Sequence, residues 1–330
     1  MEITLSTSVP ITDGTSVGEA RRAGMTTAER LGFSETRCGE FALLASEVSR
    51  NVLVHGGGGQ TIIQGRKNGS GPVAQILALD KGPGIRDVAK AMGDGYSTAG
   101  TMGAGLGAMK RIADSLEIFS GERGTVVFME VGEKKEQGEL QLTGLAVPYP
   151  GEFLCGDAWS RVQQRHRTLI MLVDGLGHGR DAAVAANEAI STFHKHAERG
   201  PAQILSYVHD ALKKTRGAAA AIAAIDPEDK SVTYAGVGNT GCVVLGHGSS
   251  RSLVSHNGTL GAATPRLQEF RVEWPAEGVL IMHSDGLQTR WDLSAYPGIL
   301  ARHPAVIAGV LLRDFRRQRD DASVVVVKAS

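Results

Sequence analysis

Residues 168–179 read TLIMLVDGLGHG, and no other stretch limits the fold as strongly. Leu169 to Val173 is a continuous apolar run, the pattern of a strand buried on both faces. Such a strand needs a layer on each side of its sheet. The run ends on Asp174, followed by Gly175, Leu176, Gly177, His178 and Gly179. A carboxylate delivered this way into a glycine-rich turn has two readings. It caps the helix that follows, or it meets a hard cation, because a buried carboxylate without a partner is costly.

The same device recurs. GVLIMHSDG brings an apolar run to Ser284, Asp285 and Gly286. The segment Glu152–Asp157 reads as leading to a second strand-end carboxylate, Asp157, with Gly156 beside it. Asp320 and Asp321 precede Ala322, Ser323 and a terminal strand, VVVVK. Acidic residues at four strand ends or turns are hard to explain as caps. Clustered carboxylates repel one another unless a cation neutralises them. Oxygen ligands without a Cys or His cluster favour magnesium or manganese over zinc. Two such ions can share a water, lower its pKa and assist in-line displacement at phosphorus. His178 either donates a proton near that water or the leaving group, or fixes the turn. Asn239 either orients a phosphate or stabilises a turn. His256, His283, Trp159 and Trp274 read as structural.

The first half has its own sequence of signals. Residues 2–9 alternate like a strand, and 15–31 read as a helix. Ser34 can cap a second helix with the stripe Phe41, Leu44, Ala45, Val48 and Val52. Glu47 and Asn51 are four apart and share a face of it. Strands follow at about 60–66 and 73–80, the second delivering Asp80 into the turn Lys81-Gly82-Pro83-Gly84-Ile85. After a loop over about 86–102, Gly103, Gly105 and Gly107 open a helix. Backbone amides at such a start can approach phosphate. Strands at 116–120 and 124–131 close the unit. Each piece alone reads as a solvated face, a cap or a turn; their order points to a nucleotide site.

A length of 330 residues fits two domains of about 150 residues. Gly132 to Gly138 is short, charged and free of apolar residues, so it reads as the junction. The expected division is 1–132, a linker at 133–138, and 139–330. In the second half, strands are expected at 139–147, 218–225, 231–236, 241–246, 268–273 and 279–283, and helices at 180–199, 202–215 and 302–317. Lys plus Arg equals Asp plus Glu, 35 of each, so no net field invites nucleic acid. Three scattered cysteines argue for a reducing compartment. No signal peptide and no apolar run of about 18 residues is visible, so a cytoplasmic protein without a membrane span is expected.

The order E-x-x-x-N, D-x-G-x-G, G-x-G-x-G and G-T over residues 1–132 resembles the GHKL ATP-binding fold shared by histidine kinases, gyrase and anti-sigma-factor serine kinases. DKGPGI, AM-x-DGYST and GAGLGAMKRIAD are similar to the switch-kinase branch of the stressosome. The resemblance implies ATP with Mg2+: Asn51 on the magnesium, Glu47 as the base toward an acceptor serine, Asp80 on the adenine amino group. Gly82 and Gly84 would shape the adenine pocket, Gly103, Gly105 and Gly107 would cradle the phosphates, and Thr125 would stand beside Asp80.

Over residues 139–330, G-D at 156–157, D-G-L-G-H-G at 174–179, A-G-x-G-N at 235–239, S-D-G-L at 284–287 and D-D-A-S at 320–323 resemble the SpoIIE-type branch of the PPM metal-dependent serine/threonine phosphatases. That resemblance implies a site for Mn2+ or Mg2+ built by Asp157, Asp174, the Gly175 carbonyl, Asp285 and Asp320, with Asp320 preferred to Asp321. The implied fold is an α/β (α+β) two-domain chain, a GHKL α/β sandwich followed by a PPM-type α-β-β-α sandwich. The implied reaction is hydrolysis of phosphoserine or phosphothreonine on a regulatory protein of the anti-sigma antagonist (STAS) or stressosome type. Two alternatives stand beside it: a bifunctional kinase and phosphatase, and an ATP-sensing partner switch without phosphotransfer.

Overall fold

The computed structural model describes residues 3–68, 71–92, 105–132, 140–246, 248–262 and 266–329. The expected linker at 133–138, the loop residues Asp94–Thr98 and Gly103 lie outside them. The chain forms two compact units: Met1–Gln137 with Ala301–Arg313, and Gly138–Leu300 with Asp314–Ser330.

In the first unit, β1 (Ile3–Ile11), β2 (Gly59–Asn68), β3 (Gly71–Asp80), β4 (Ser115–Gly121) and β5 (Gly124–Gly132) form an antiparallel sheet in the order β1-β2-β3-β5-β4. Helix α1 (Gly14–Leu31) starts at Asp13, whose carboxylate takes the Thr15 and Ser16 amides. Ser34 caps α2 (Glu35–Gly56), as its hydroxyl predicts, and Gly57 ends it in the left-handed region. A one-turn helix, α3 (Val88–Ala91), falls in the expected loop, and α4 (Gly105–Ile112) follows. The α2 stripe Phe41, Leu44, Ala45, Val48 and Val52 packs with Ile63, Ile76, Ala78, Val127 and Met129 in one core.

The opposite face of this sheet is buried too, at Leu77, Leu79, Val126 and Phe128. Its cover comes from far along the chain. Helix α7 (Pro304–Phe315) was expected in the second domain, yet Ala301–Arg313 groups with the first unit. Gly309 brings the helix so close that an added Cβ would stand 2.8 Å from Val126 Cγ1 and 3.1 Å from Leu79 Cδ2. The His303 ring stacks on Phe128 at 4.3 Å, and Glu117 accepts the His303 amide at 3.0 Å. Pro304 through Arg313 are all buried. A helix apolar all round carries no stripe to say which layer it joins.

The second unit holds two antiparallel sheets. One is β13 (Phe270–Glu273), β10 (Ser231–Val237), β9 (Ala218–Asp226), β8 (Thr168–Gly175) and β7 (Asp157–Gln163), in that order. The other is β12 (Ser249–Leu253), β11 (Gly241–Gly246), β14 (Val279–His283), β15 (Ala322–Ala329) and β6 (Leu140–Val147). Ile170, Leu172, Ala221, Ala223 and Tyr234 from the first sheet share a core with Leu142, Cys242, Leu280, Met282 and Val325 from the second. Helices α5 (Arg180–Lys195) and α6 (Pro201–Leu212) cover the outer face of the first sheet through Ala185, Ala189, Phe193, Ile204 and Val208. The central strand β8 is thus buried on both faces, as its apolar run requires. β12 escaped the sequence reading because SSRSL is an exposed edge strand without alternating apolar residues.

Candidate functional site

One end of the β-sandwich gathers the acidic residues. Asp157 and Asp174 face each other as register partners across β7 and β8. Asp157 starts its strand rather than ending one, a correction to the sequence reading. Antiparallel pairing places the start of one strand beside the end of the next, so both carboxylates still meet. On the other sheet, Asp285 follows β14 and Asp320 precedes β15. The Ser284 amide donates to the Ser323 carbonyl at 3.1 Å and the Ser323 amide to Ser284 Oγ at 3.0 Å, which fixes these two strand ends together.

Burial and mutual repulsion dominate the electrostatics. Burial pushes the Asp174 carboxyl up to about 9, with Asp157, Asp285 and Asp320 adding to the rise. Burial pushes Asp157 up to about 7, opposed by the facing Ser284 and Ser323 side chains and reinforced by Asp321 and Asp320. Burial also raises Asp285, again with Asp320 adding to it. Asp157 is buried, and its Oδ2 has no hydrogen-bond partner. Among the described residues, no three acidic, thiol or imidazole groups already stand in a closed set around one metal position. The donors nevertheless fit a hard cation: they are carboxylates, one buried oxygen is orphaned, and their charges oppose one another. Magnesium takes few protein oxygens and keeps several waters, so a closed protein cage is not needed.

Asp320 and Asp321 have different surroundings. Asp321 accepts the Tyr149 amide at 2.7 Å and the Gly156 amide at 2.9 Å, so both its oxygens are committed to backbone. Asp320 accepts the Asp321 amide at 2.9 Å through Oδ1, and its charge reaches Asp157, Asp174 and Asp285. Asn239 donates its side-chain amide to Asp285. His178 follows Asp174 in the same glycine-rich turn: its Nδ1 is 3.1 Å from Glu152 Oε1, and its ring stacks on Tyr149 at 4.7 Å. Sequence reasoning did not find Glu152 or Tyr149, since neither belongs to a motif. His283 receives the Trp291 indole N–H at 3.1 Å, a structural contact.

In the first unit, Asp80 Oδ1 accepts the Gly82 amide at 2.9 Å and the Thr125 amide at 3.2 Å. Burial raises the Asp80 carboxyl, and these two amides oppose the rise. Thr125 Oγ1 is 2.9 Å from Ser120 Oγ, which takes the Ile85 amide at 2.7 Å. Gly82 lies so close to the end of α2 that a Cβ would stand 2.7 Å from the His55 carbonyl. Gly84 has φ +76°, a turn that favours glycine. Asp80, Gly82 and Thr125 are thus joined by hydrogen bonds, with Gly84 in the adjoining turn against Gly121. Glu47 and Asn51 lie on α2, half-buried, and Gly105 and Gly107 open α4.

Comparison with known proteins places each half. The Stage II sporulation protein E (SpoIIE) family matches residues 164–330, and the histidine kinase-like ATPase domain matches residues 12–131. The serine/threonine-protein kinase RsbT of Bacillus subtilis (strain 168) is 39% identical over 101 residues, 31% of this chain and 76% of that protein. The phosphoserine phosphatase RsbX of the same organism is 25% identical over 154 residues, 46% of this chain and 77% of that protein. A solved chain described with the bacterial stressosome as a modular system covers 58% of this chain and all of its own length, at TM-score 0.55 and 26% identity. The crystal structure of RsbX in complex with magnesium covers 66% of this chain and all of its own length, at TM-score 0.52 and 19% identity, a likeness of fold. No helix among the described residues is long and apolar enough to cross a membrane, which says nothing of a β-barrel.

Proposed function

The chain belongs to the SpoIIE family and is a protein serine/threonine phosphatase with a histidine kinase-like ATPase domain, and from that premise we propose that it hydrolyses phosphoserine or phosphothreonine on a regulatory protein of the anti-sigma antagonist (STAS) or stressosome type, in the cytoplasm. The observation that carries the chemistry is the gathering of Asp157, Asp174, Asp285 and Asp320 at one end of the sandwich, where the charges of Asp157, Asp285 and Asp320 all raise the Asp174 carboxyl. Asp157, Asp174, Asp285, Asp320 and the Gly175 carbonyl would hold Mn2+ or Mg2+. When bound, the ions would supply a low-pKa water and neutralise the phosphoryl oxygens. Asn239 keeps Asp285 turned to the cluster. Asp321 holds the Tyr149 and Gly156 amides, and so the segment that carries Asp157. His178, oriented by Glu152, supplies the proton to the departing serine oxygen. The partner class rests on the likeness to RsbT and RsbX.

Purified protein with manganese should release phosphate from a phosphoserine protein, and Asp174→Asn should abolish release. Activity that survives in this variant, or never appears with any divalent ion, overturns the reading.

In the first unit, ATP would place its adenine on Asp80 and Thr125 between Gly82 and Gly84, its phosphates at Gly103, Gly105 and Gly107, and its Mg2+ on Asn51. The likeness to a serine/threonine kinase over 101 residues, beside an ATPase-domain match whose residues 12–131 include Glu47 and Asn51, favours a second activity, phosphorylation of the same partner with Glu47 as base. Labelled ATP and a candidate partner separate this from sensing. Transfer lost in Glu47→Ala supports the kinase; nucleotide binding without transfer supports the sensor.

A further inference from the structure

Phe153 is 99% exposed, and its neighbour Leu154 and the loop residue Leu176 are also exposed. An isolated apolar residue at a surface needs no explanation, but these three share a location. Phe153 lies four residues before Asp157, within about 14 Å of it even along a fully extended chain. Leu176 lies two residues after Asp174. Asp157 and Asp174 are register partners, so both apolar segments leave the same end of the β7–β8 pair. The two segments run side by side: the Gly175 amide donates to the Gly156 carbonyl at 3.1 Å, and His178 Nδ1 lies 3.1 Å from Glu152 Oε1.

The segment carrying Phe153 is fastened rather than loose. Asp321 holds the Tyr149 amide before it and the Gly156 amide after it. Arg316 donates to the Pro148 carbonyl at 2.6 Å, the Glu152 amide donates to the Tyr149 carbonyl at 3.0 Å, and Glu152 Oε1 meets His178. Five anchors thus set a short loop whose tip turns a phenylalanine entirely into solvent. Beside Leu176, Arg216 Nη1 would be 3.3 Å from a Cβ on Gly177, and its Nη2 pairs with Asp181 at 2.8 Å.

We propose that Phe153 and Leu154, with Leu176 on the adjoining segment, form an apolar clasp that grips hydrophobic side chains flanking the phosphorylated serine of a protein substrate. The inference rests on the phosphatase reading above and deepens it by stating what the substrate presents. The occupant is argued from position. Both segments are continuous with Asp157 and Asp174, so a partner on this patch lies against the strand ends that carry the carboxylates, as a phosphorylated segment must to react. A second copy seated here would close its own site. Aromatic side chains bury a large apolar area on contact, so Phe153 would carry most of the grip.

The test uses the full chain with manganese, p-nitrophenyl phosphate, and two phosphoserine peptides that differ only in leucine or glycine on both sides of the phosphoserine. The wild type should favour the leucine peptide in kcat/KM at least about tenfold, or ~1.4 kcal/mol, chiefly through KM. The double variant Phe153→Ser, Leu154→Ser should lose that preference to within about threefold and keep its p-nitrophenyl phosphate rate within about twofold, because both residues are exposed and outside the catalytic set. A wild type without preference, or a preference that survives in the variant, overturns the clasp. A wild-type dimer that the variant dissolves, with peptide preference unchanged, overturns it in favour of a second copy. A wild type inert toward p-nitrophenyl phosphate sinks the phosphatase reading and the clasp together.

Discussion

Each acidic residue of the cluster tests a different contact. Asp320→Asn removes a proposed ligand and should cut phosphoserine hydrolysis by about a thousandfold or more. Asp321→Asn leaves the ligands but spoils the grip on the Tyr149 and Gly156 amides. Its cost should be about 10- to 100-fold, seen as weaker manganese affinity in a metal titration. The proton balance gives a second prediction. Asp157 and Asp174 titrate at about 7 and about 9 in the fold, against about 4 in an unfolded chain. Without metal, their contribution to stability is complete below the unfolded value and is lost as pH rises toward the folded values. The rise in melting temperature on adding manganese should therefore be larger at pH 8 than at pH 5.5. His178→Asn gives the third: loss of a proton donor should slow phosphoserine release by about 100-fold. It should spare p-nitrophenyl phosphate, whose leaving group needs no proton. Equal losses on both substrates would leave His178 a residue of the turn.

Among the elements, β7 and β8 show how local patterns combine. Neither strand alone places two carboxylates together; their antiparallel register does. Helix α7 shows the converse. Its sequence is apolar on every side, and its Gly309 lets it press on Val126 and Leu79. Gly309→Leu should improve helix propensity by about 1 kcal/mol, yet overpacking costs about 1–3 kcal/mol. A net loss of stability is expected, read as an earlier unfolding transition in urea.

For the molecule as a whole, the two proposed phosphate-handling sites lie in two compact units. Asp80 belongs to one and Asp174 to the other, so the sites should be separable by mutation. Asp80→Asn should abolish ATP binding in calorimetry, and without nucleotide it should leave manganese-dependent p-nitrophenyl phosphate hydrolysis within about twofold. A hydrolytic rate that collapses in this variant would show that the two sites do not operate separately.

The sequence by itself determined the mixed α/β class, the Ser34 cap, the α2 stripe, and the doubly buried strand that delivers Asp174. These are short-range signals, set by apolar periodicity and by residues that a turn or cap demands. It also marked Asp80, Gly82 and Gly84, because spacing around a tight glycine turn survives in one dimension, whereas Thr125 came only from the GHKL resemblance. Only the tertiary structure decided that Asp321 is occupied by backbone while Asp320 faces the cluster, since adjacent residues of the same type differ only in what folds against them. Pairing Glu152 with His178 and Tyr149, and seating α7 in the first unit, required contacts across long stretches of chain. No local pattern encodes them: a helix apolar all round fits any buried layer, and an exposed Phe153 becomes informative only beside the carboxylates it flanks.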